Sequence, residues 1–278
     1  MAPIISIAGV SKSFVKDKPV LKNINISIEA GEMVALIGAS GSGKSTLIRA
    51  IGGLERIDRS DPRNSVEAKI ALFGETMQKS GQIAPGAKQL RSRIGIVFQQ
   101  FNLVPRLSVL TNVCLGLLGN MSSARGTLSL FTKEEKRLAI RALQRVGIAE
   151  HALKRGNQLS GGQQQRAAIA RTLVQKSEVL VADEPIASLD PASARRVMDI
   201  LGEINRTDRV TVVVSLHQVE YALAYCPRTI ALRAGEVVYD GPSHALTPDF
   251  LAELYGEEGE SLFLPIFADR PPASHLAA

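Results

Sequence analysis

The stretch Gly38-Ala39-Ser40-Gly41-Ser42-Gly43-Lys44-Ser45 fits the pattern G-x-x-x-x-G-K-[ST]. It stands between an apolar run, Met33 to Ile37, and a helix predicted from about Lys44 to Gly52. Strand, glycine-rich loop and helix in that order commit the chain to an α/β unit built on a mostly parallel sheet. The glycines let the backbone curl until its N–H groups face inward around phosphate oxygens, and the positive end of the following helix adds to the pull. Lys44 supplies a mobile cation for the β and γ phosphates, Ser45 offers a hydroxyl to Mg²⁺, and Thr46 carries the nucleotide-binding stretch into the helix. Alone, the loop implies a bound nucleoside triphosphate and leaves open what its hydrolysis drives.

With 278 residues, the chain can build one large α/β domain with an inserted lobe. Apolar residues at 45% and charged residues at 22% exclude a disordered chain. The longest apolar runs, such as Val210 to Leu216, fall well short of the roughly 20 residues that a membrane-crossing helix needs. Met1 to Val10 alternates like a strand and lacks the features of a secretory signal, so a cytosolic location is expected. The net charge of +6 suits a phosphate-rich ligand or an anionic membrane face, but no basic run is interleaved with aromatics, and no nucleic-acid partner is expected. Cys114 and Cys226 fall in predicted helices without metal-ligand spacing, and read as buried thiols with no disulfide.

The first thirty residues predict two or three strands, an antiparallel lobe that includes the alternating Leu21 to Ile28. Residues 55 to 91 are polar and rich in Gly, Pro and Ser, and read as a loop-bearing insertion with one strand at Ala68 to Phe73. A strand at Ile94 to Phe98 precedes a helical lobe of about residues 101–175. There Thr132 is the expected N-cap of a helix to Val146, with Glu135 closing a capping box. Strand and helix then alternate: Val179 to Ala182, Pro191 to Asn205, Val210 to Ser215, Gln218 to Tyr225, and terminal strands near Thr229 and Val237. Residues 1–256 are expected to form one domain. Beyond them, 257–278 read as a tail whose last dozen residues are poorly ordered.

The strand at Val179 ends in Asp183-Glu184-Pro185, which sets two acids at the carboxyl edge of the sheet. Successive residues there point to opposite sides, so Asp183 can hold Mg²⁺ through its hydration shell while Glu184 orients and deprotonates a water. Without the glycine-rich loop upstream, the same pair would read as a solvated turn. Leu159-Ser160-Gly161-Gly162-Gln163 opens another helix and leaves N–H groups pointing at open space, a second anion site or a glycine-rich cap.

The ordered set of glycine-rich loop, Gln99 after an apolar strand, Leu-Ser-Gly-Gly-Gln, Asp183-Glu184, Ser188-Leu189-Asp190 and His217 after another strand resembles an ABC-transporter nucleotide-binding subunit over residues 3 to 255. The resemblance implies a P-loop NTPase core with an antiparallel β lobe and an inserted α-helical lobe. It also implies that Phe14 stacks on adenine, where the family more often has Tyr, and that Gln99 contacts Mg²⁺ and the attacking water and signals to a permease. His217 would sense the γ-phosphate, and Asp190 would join the nucleotide contacts. Two copies are expected to face head to tail, each ATP lying between one copy's loop and the other's Ser160 to Gln163. With a single cassette in the chain, that means a homodimer. Integral-membrane permease subunits and, indirectly, a periplasmic or lipid-anchored solute-binding protein complete the expected assembly at the cytoplasmic face of the inner membrane.

Within the family, Phe98 to Val104, Arg106 to Val109, Phe131-Thr132, Ala182 to Pro191 and Leu216-His217-Gln218-Val219 resemble the phosphonate importers. Importers of phosphite or phosphate esters would share these stretches. A non-transport ABC ATPase usually has a long coiled-coil insertion or two cassettes in one chain, and neither is present. Glu184 weighs against an ATP-binding module without turnover.

Overall fold

The computed structural model describes residues 2–15, 18–60 and 66–256, apart from the side chains of Asn120, Ser123 and Ala124. The tail expected at 257–278 lies outside the described residues. The strand β1 (Ile5–Val15) pairs antiparallel with β2 (Lys18–Ile28), whose buried Leu21, Ile24, Ile26 and Ile28 face a core. The step of three from Leu21 to Ile24 is absorbed by Asn23 at φ 47°, where the register shifts and one extra residue is accommodated. Then come β3 (Met33–Ile37) and α1 (Lys44–Ile51), as the sequence predicted.

The segment read as a loop-bearing insertion holds more order than its composition suggests: β4 (Lys69–Leu72), β5 (Glu75–Lys79), β6 (Gln82–Ile83) and α2 (Ala87–Ser92). The antiparallel sheet runs β2-β1-β4-β5-β6. Gln78, fully buried on β5, explains why the strand was hard to see, since a polar side chain sits where the pattern would show an apolar one. Its amide donates to Ala50 O at 2.6 Å and Glu55 O at 3.1 Å and accepts from Ile57 N at 3.0 Å. A buried amide so satisfied costs little.

After β7 (Ile94–Val97) the chain is helical through α3 (Val109–Cys114), α4 (Ser123–Thr127), α5 (Lys133–Arg145) and α6 (Gly161–Gln175). Thr132 caps α5 as expected, accepting from Glu135 N at 3.2 Å while Glu135 takes the Thr132 N–H at 2.7 Å. The chain closes with β8 (Val179–Ala182), α7 (Pro191–Asp208), β9 (Thr211–Ser215), α8 (Val219–Tyr225), β10 (Arg228–Arg233), β11 (Glu236–Pro242) and α9 (Pro248–Tyr255). Cys114 and Cys226 are buried free thiols, pushed up to about 11 and about 12 chiefly by burial.

The second sheet has the order β11-β10-β3-β9-β8-β7, parallel except for β11. Its strands β3, β8 and β9 are buried on both faces. Met33, Ala35 and Ile37 of β3 pack with the helices, while Val34 and Leu36 pack with α1 and the antiparallel sheet. In-register pairing of Val97 with Ala182, Ala182 with Val214, and Leu36 with Ser215 brings the carboxyl ends of four strands to one edge. The residues that follow those ends share that edge. Among the described residues, no helix is long and apolar enough to cross a membrane.

Candidate functional site

The turn after β3 is shaped by positions where a side chain could not stand. A Cβ on Gly38 (φ 146°) would lie 2.1 Å from Leu232 O, and one on Gly43 (φ 105°) would lie 2.8 Å from both Val20 O and Leu21 Cδ2. The loop therefore seats directly on its neighbours, and it borders a hollow of about 190 Å³ lined by Val20, the residues 40–46 and Glu184. Gly38→Ala is expected to cost about 3 kcal/mol of stability through overpacking and strain at an unfavourable φ, read as a lowered urea midpoint. An unchanged midpoint would mean that the loop does not sit as described.

Lys44 is buried, and its Nζ donates to Gly38 O at 2.7 Å and Ala39 O at 3.1 Å. Burial pushes its pKa below the ordinary lysine value, while the Glu184 and Asp183 carboxylates oppose the shift. Ser45 Oγ donates to Asp183 Oδ1 at 2.9 Å, so the first turn of α1 and the end of β8 meet. The buried Ser42 hydroxyl has no hydrogen-bond partner among the described residues. An orphaned buried hydroxyl on a residue that lines this hollow is a cost that a phosphate oxygen removes.

Asp183 and Glu184 are tied to the next strand by a residue that sequence reasoning missed. Ser215, fully buried at the end of β9, donates to Asp183 Oδ1 at 3.1 Å and accepts the Glu184 N–H at 2.8 Å. Only its place as the polar end of an otherwise apolar strand hints at this role. Glu184 has φ 48°, the left-handed conformation that costs a non-glycine residue free energy and that concentrates at functional sites. His217 Nε2 lies 2.6 Å from Glu184 Oε1. A carboxylate accepts, so this nitrogen carries the proton. The bond holds the Glu184 carboxyl below the usual carboxylate range against the opposing effect of burial, with help from the charge of His217 and Lys44.

The remaining predicted residues stand apart from this cluster. Gln99 is exposed two residues beyond β7, and its amide bonds to none of the loop or acid residues. Phe14 is 59% exposed on β1 with the Lys12 ammonium 4.9 Å from its ring centroid, which fits a platform rather than a core ring. Ser160 caps α6, accepting from Gln163 N at 3.4 Å, while Gln163 Oε1 takes the Ser160 N–H at 2.9 Å. The amide nitrogen of Gln163 lies 2.8 Å from His151 Nε2, a partner far enough along the chain that no local pattern reveals it. Gly161 and Gly162 lie against Phe101 and Ser193, respectively. None of Ser160 to Gln163 lines the phosphate hollow. Asp190 caps α7 by accepting from Ser193 N at 3.0 Å, and hydrogen bonds from Ser193 hold its carboxyl below the ordinary range. A larger hollow, about 540 Å³, opens among Arg145, Lys176, Glu178 and Asp208 at the opposite end of the strands, and no motif residue lines it.

The sequence model of the ABC transporter family matches residues 21–187. The chain is 56% identical to the phosphonates import ATP-binding protein PhnC 1 of Pseudomonas aeruginosa strain UCBPP-PA14, over 97% of this chain and 94% of that protein. It is 52% identical to the phosphonates import ATP-binding protein PhnC of Cupriavidus pinatubonensis, over 100% and 97%. Among solved structures, the dimeric bacterial ABC transporter cassette MJ0796 superposes with a TM-score of 0.74 at 33% identity, covering 87% of this chain and 100% of that one. A post-hydrolysis state of the same cassette, bound to ADP and Pi, gives 0.73. Family match, near-complete relatives and the loop-and-acid geometry agree, and the chain belongs to the ABC transporter family as one of its ATP-hydrolysing subunits.

Proposed function

We propose that the chain hydrolyses ATP to energise the import of phosphonates. It works as a homodimer beneath a separate membrane permease at the cytoplasmic face of the inner membrane, and a solute-binding protein delivers the cargo. The observation that carries this reading is the 56% identity, across 97% of the chain, to a phosphonates import ATP-binding protein. In this reading residues 1–256 are the nucleotide-binding domain, and about 101–175 its helical lobe.

The roles follow from the cluster. Backbone N–H groups of the loop beyond Gly38 and the Ser42 hydroxyl take phosphate oxygens, and the Lys44 ammonium moves from the loop carbonyls onto the β and γ phosphates. The oxygen pair Ser45 and Asp183, 2.9 Å apart, has the hard-donor character that suits Mg²⁺, with Gln99 as a further ligand. Bound there, the ion neutralises charge on the β and γ phosphates. Glu184 orients and deprotonates the attacking water, and Ser215 fixes its main chain. His217 holds the Glu184 carboxylate and reaches the γ-phosphate. Phe14 stacks on adenine, while Ser160 to Gln163 and Asp190 of a second copy close over the nucleotide.

Deleting the gene is expected to stop growth on a phosphonate as sole phosphorus source and to leave growth on phosphate intact. Undiminished growth on several phosphonates, in a strain without a redundant system, would move the cargo to phosphite, phosphate esters or another small solute.

A further inference from the structure

We infer that Tyr255, the last residue of α9, is a positioning residue for ATP hydrolysis, its hydroxyl tying the main chain of His217 to the first residue of the phosphate loop. The inference rests on the reading of that loop and of His217 given above. The backbone ladder between the neighbouring strands β3 and β9 closes with Leu216 N–H donating to Leu36 O at 3.0 Å. Just beyond it, the Tyr255 hydroxyl accepts the Gly38 N–H at 3.3 Å and donates to His217 O at 3.5 Å. One phenol thus adds a side-chain rung where the two strands part into the loop and the His217 turn.

The hydroxyl can do this because the rest of α9 is anchored. Leu251 and Leu254 are buried in the helix-side core, Phe250 lies 5.4 Å from the Tyr239 ring, and Thr247 caps the helix by accepting from Phe250 N at 3.2 Å. Burial pushes the phenol up to about 12, so it remains a neutral donor and acceptor throughout the working range of an enzyme. Both bonds are long, and they suit fine placement better than they suit holding the fold together. What they place is the carbonyl of the residue whose Nε2 grips Glu184 at 2.6 Å. A shift of the His217 main chain is passed to the carboxylate that handles the water, and sub-ångström misplacement at such a point lowers the rate more than it lowers affinity.

The test is Tyr255→Phe in the full-length protein, which removes the hydroxyl and keeps the ring. The expected result is a kcat lower by about tenfold with KM for ATP within about twofold of wild type. The melting midpoint should stay within about 3 °C. In a His217→Ala background, with residual turnover followed by labelled phosphate release, the same change should have no further effect, since the residue it acts through is gone. An unchanged kcat, a loss confined to KM, a fall in kcat matched by a large drop in melting midpoint, or losses that multiply in the double variant would each overturn the inference. Wild-type turnover in His217→Ala alone would instead overturn the role of His217, whatever Tyr255 does.

Discussion

A Glu184→Gln variant is expected to bind ATP as the wild type does and to turn it over about 10² to 10⁴ times more slowly. The substitution is well suited to the site. Glutamine Oε1 can accept the same proton from His217 Nε2 that Glu184 Oε1 takes at 2.6 Å, and the Ser215 bond to the residue 184 N–H at 2.8 Å is untouched. The φ of 48° is no harder for glutamine than for glutamate. Only the capacity to take a proton from water is lost, so the effect should fall on the chemical step and leave binding in place. With hydrolysis blocked, an ATP-bound dimer should accumulate on gel filtration. Phosphate release at the wild-type rate would remove Glu184 from the role of base.

The second large effect concerns which copy of the chain completes the site. Ser160 to Gln163 do not line the phosphate hollow of their own chain, in keeping with the proposal, drawn from the family resemblance, that they serve a neighbour's nucleotide. Consider a dimer, in the Glu184→Gln background, in which one subunit carries Lys44→Ala and the other Ser160→Arg. Lys44→Ala removes the buried ammonium around which the loop is organised, and Ser160→Arg drives a bulky cation into the space the nucleotide needs. Each variant alone should retain no nucleotide-bound dimer. If the sites lie between chains, the mixed dimer gathers both lesions in one site and keeps the other whole, trapping about one ATP per dimer where either parent traps none. Labelled ATP on tagged mixed dimers reads the outcome. No retained ATP, with the subunits still associated, would place each site within a single chain.

The loop, the acid pair, the cap of α5 and most core strands were legible in the sequence because their signals are local, set by residues three to eight positions apart. What escaped was made of distant partners. Ser215 reaches Asp183 across 32 residues, and Tyr255 reaches Gly38 across 217, separations at which spacing carries no information. In the 55–91 segment β5 was hidden by Gln78, a polar side chain whose burial is made affordable by the backbone groups of Ala50, Glu55 and Ile57. The helix α9 had readable marks in Thr247 as N-cap and Pro248 at its first position, but its eight residues are too few for periodicity to be decisive.

The strand that launches the phosphate loop is laid down early in the chain, yet β3 is held between β9 and β10. A growing polypeptide must therefore carry an apolar segment exposed on both edges until residues 211–233 have been made. Parallel pairing over such separations is slow and loses chain entropy before it gains contacts. Completion of the sheet edge that carries the phosphate loop is in this way deferred until those strands are made. A truncated product ending before β9 has the loop motif in its sequence but lacks Ser215 and His217, the hydrogen-bond partners of Asp183 and Glu184, and its unpaired strand edges expose it to chaperones and proteases.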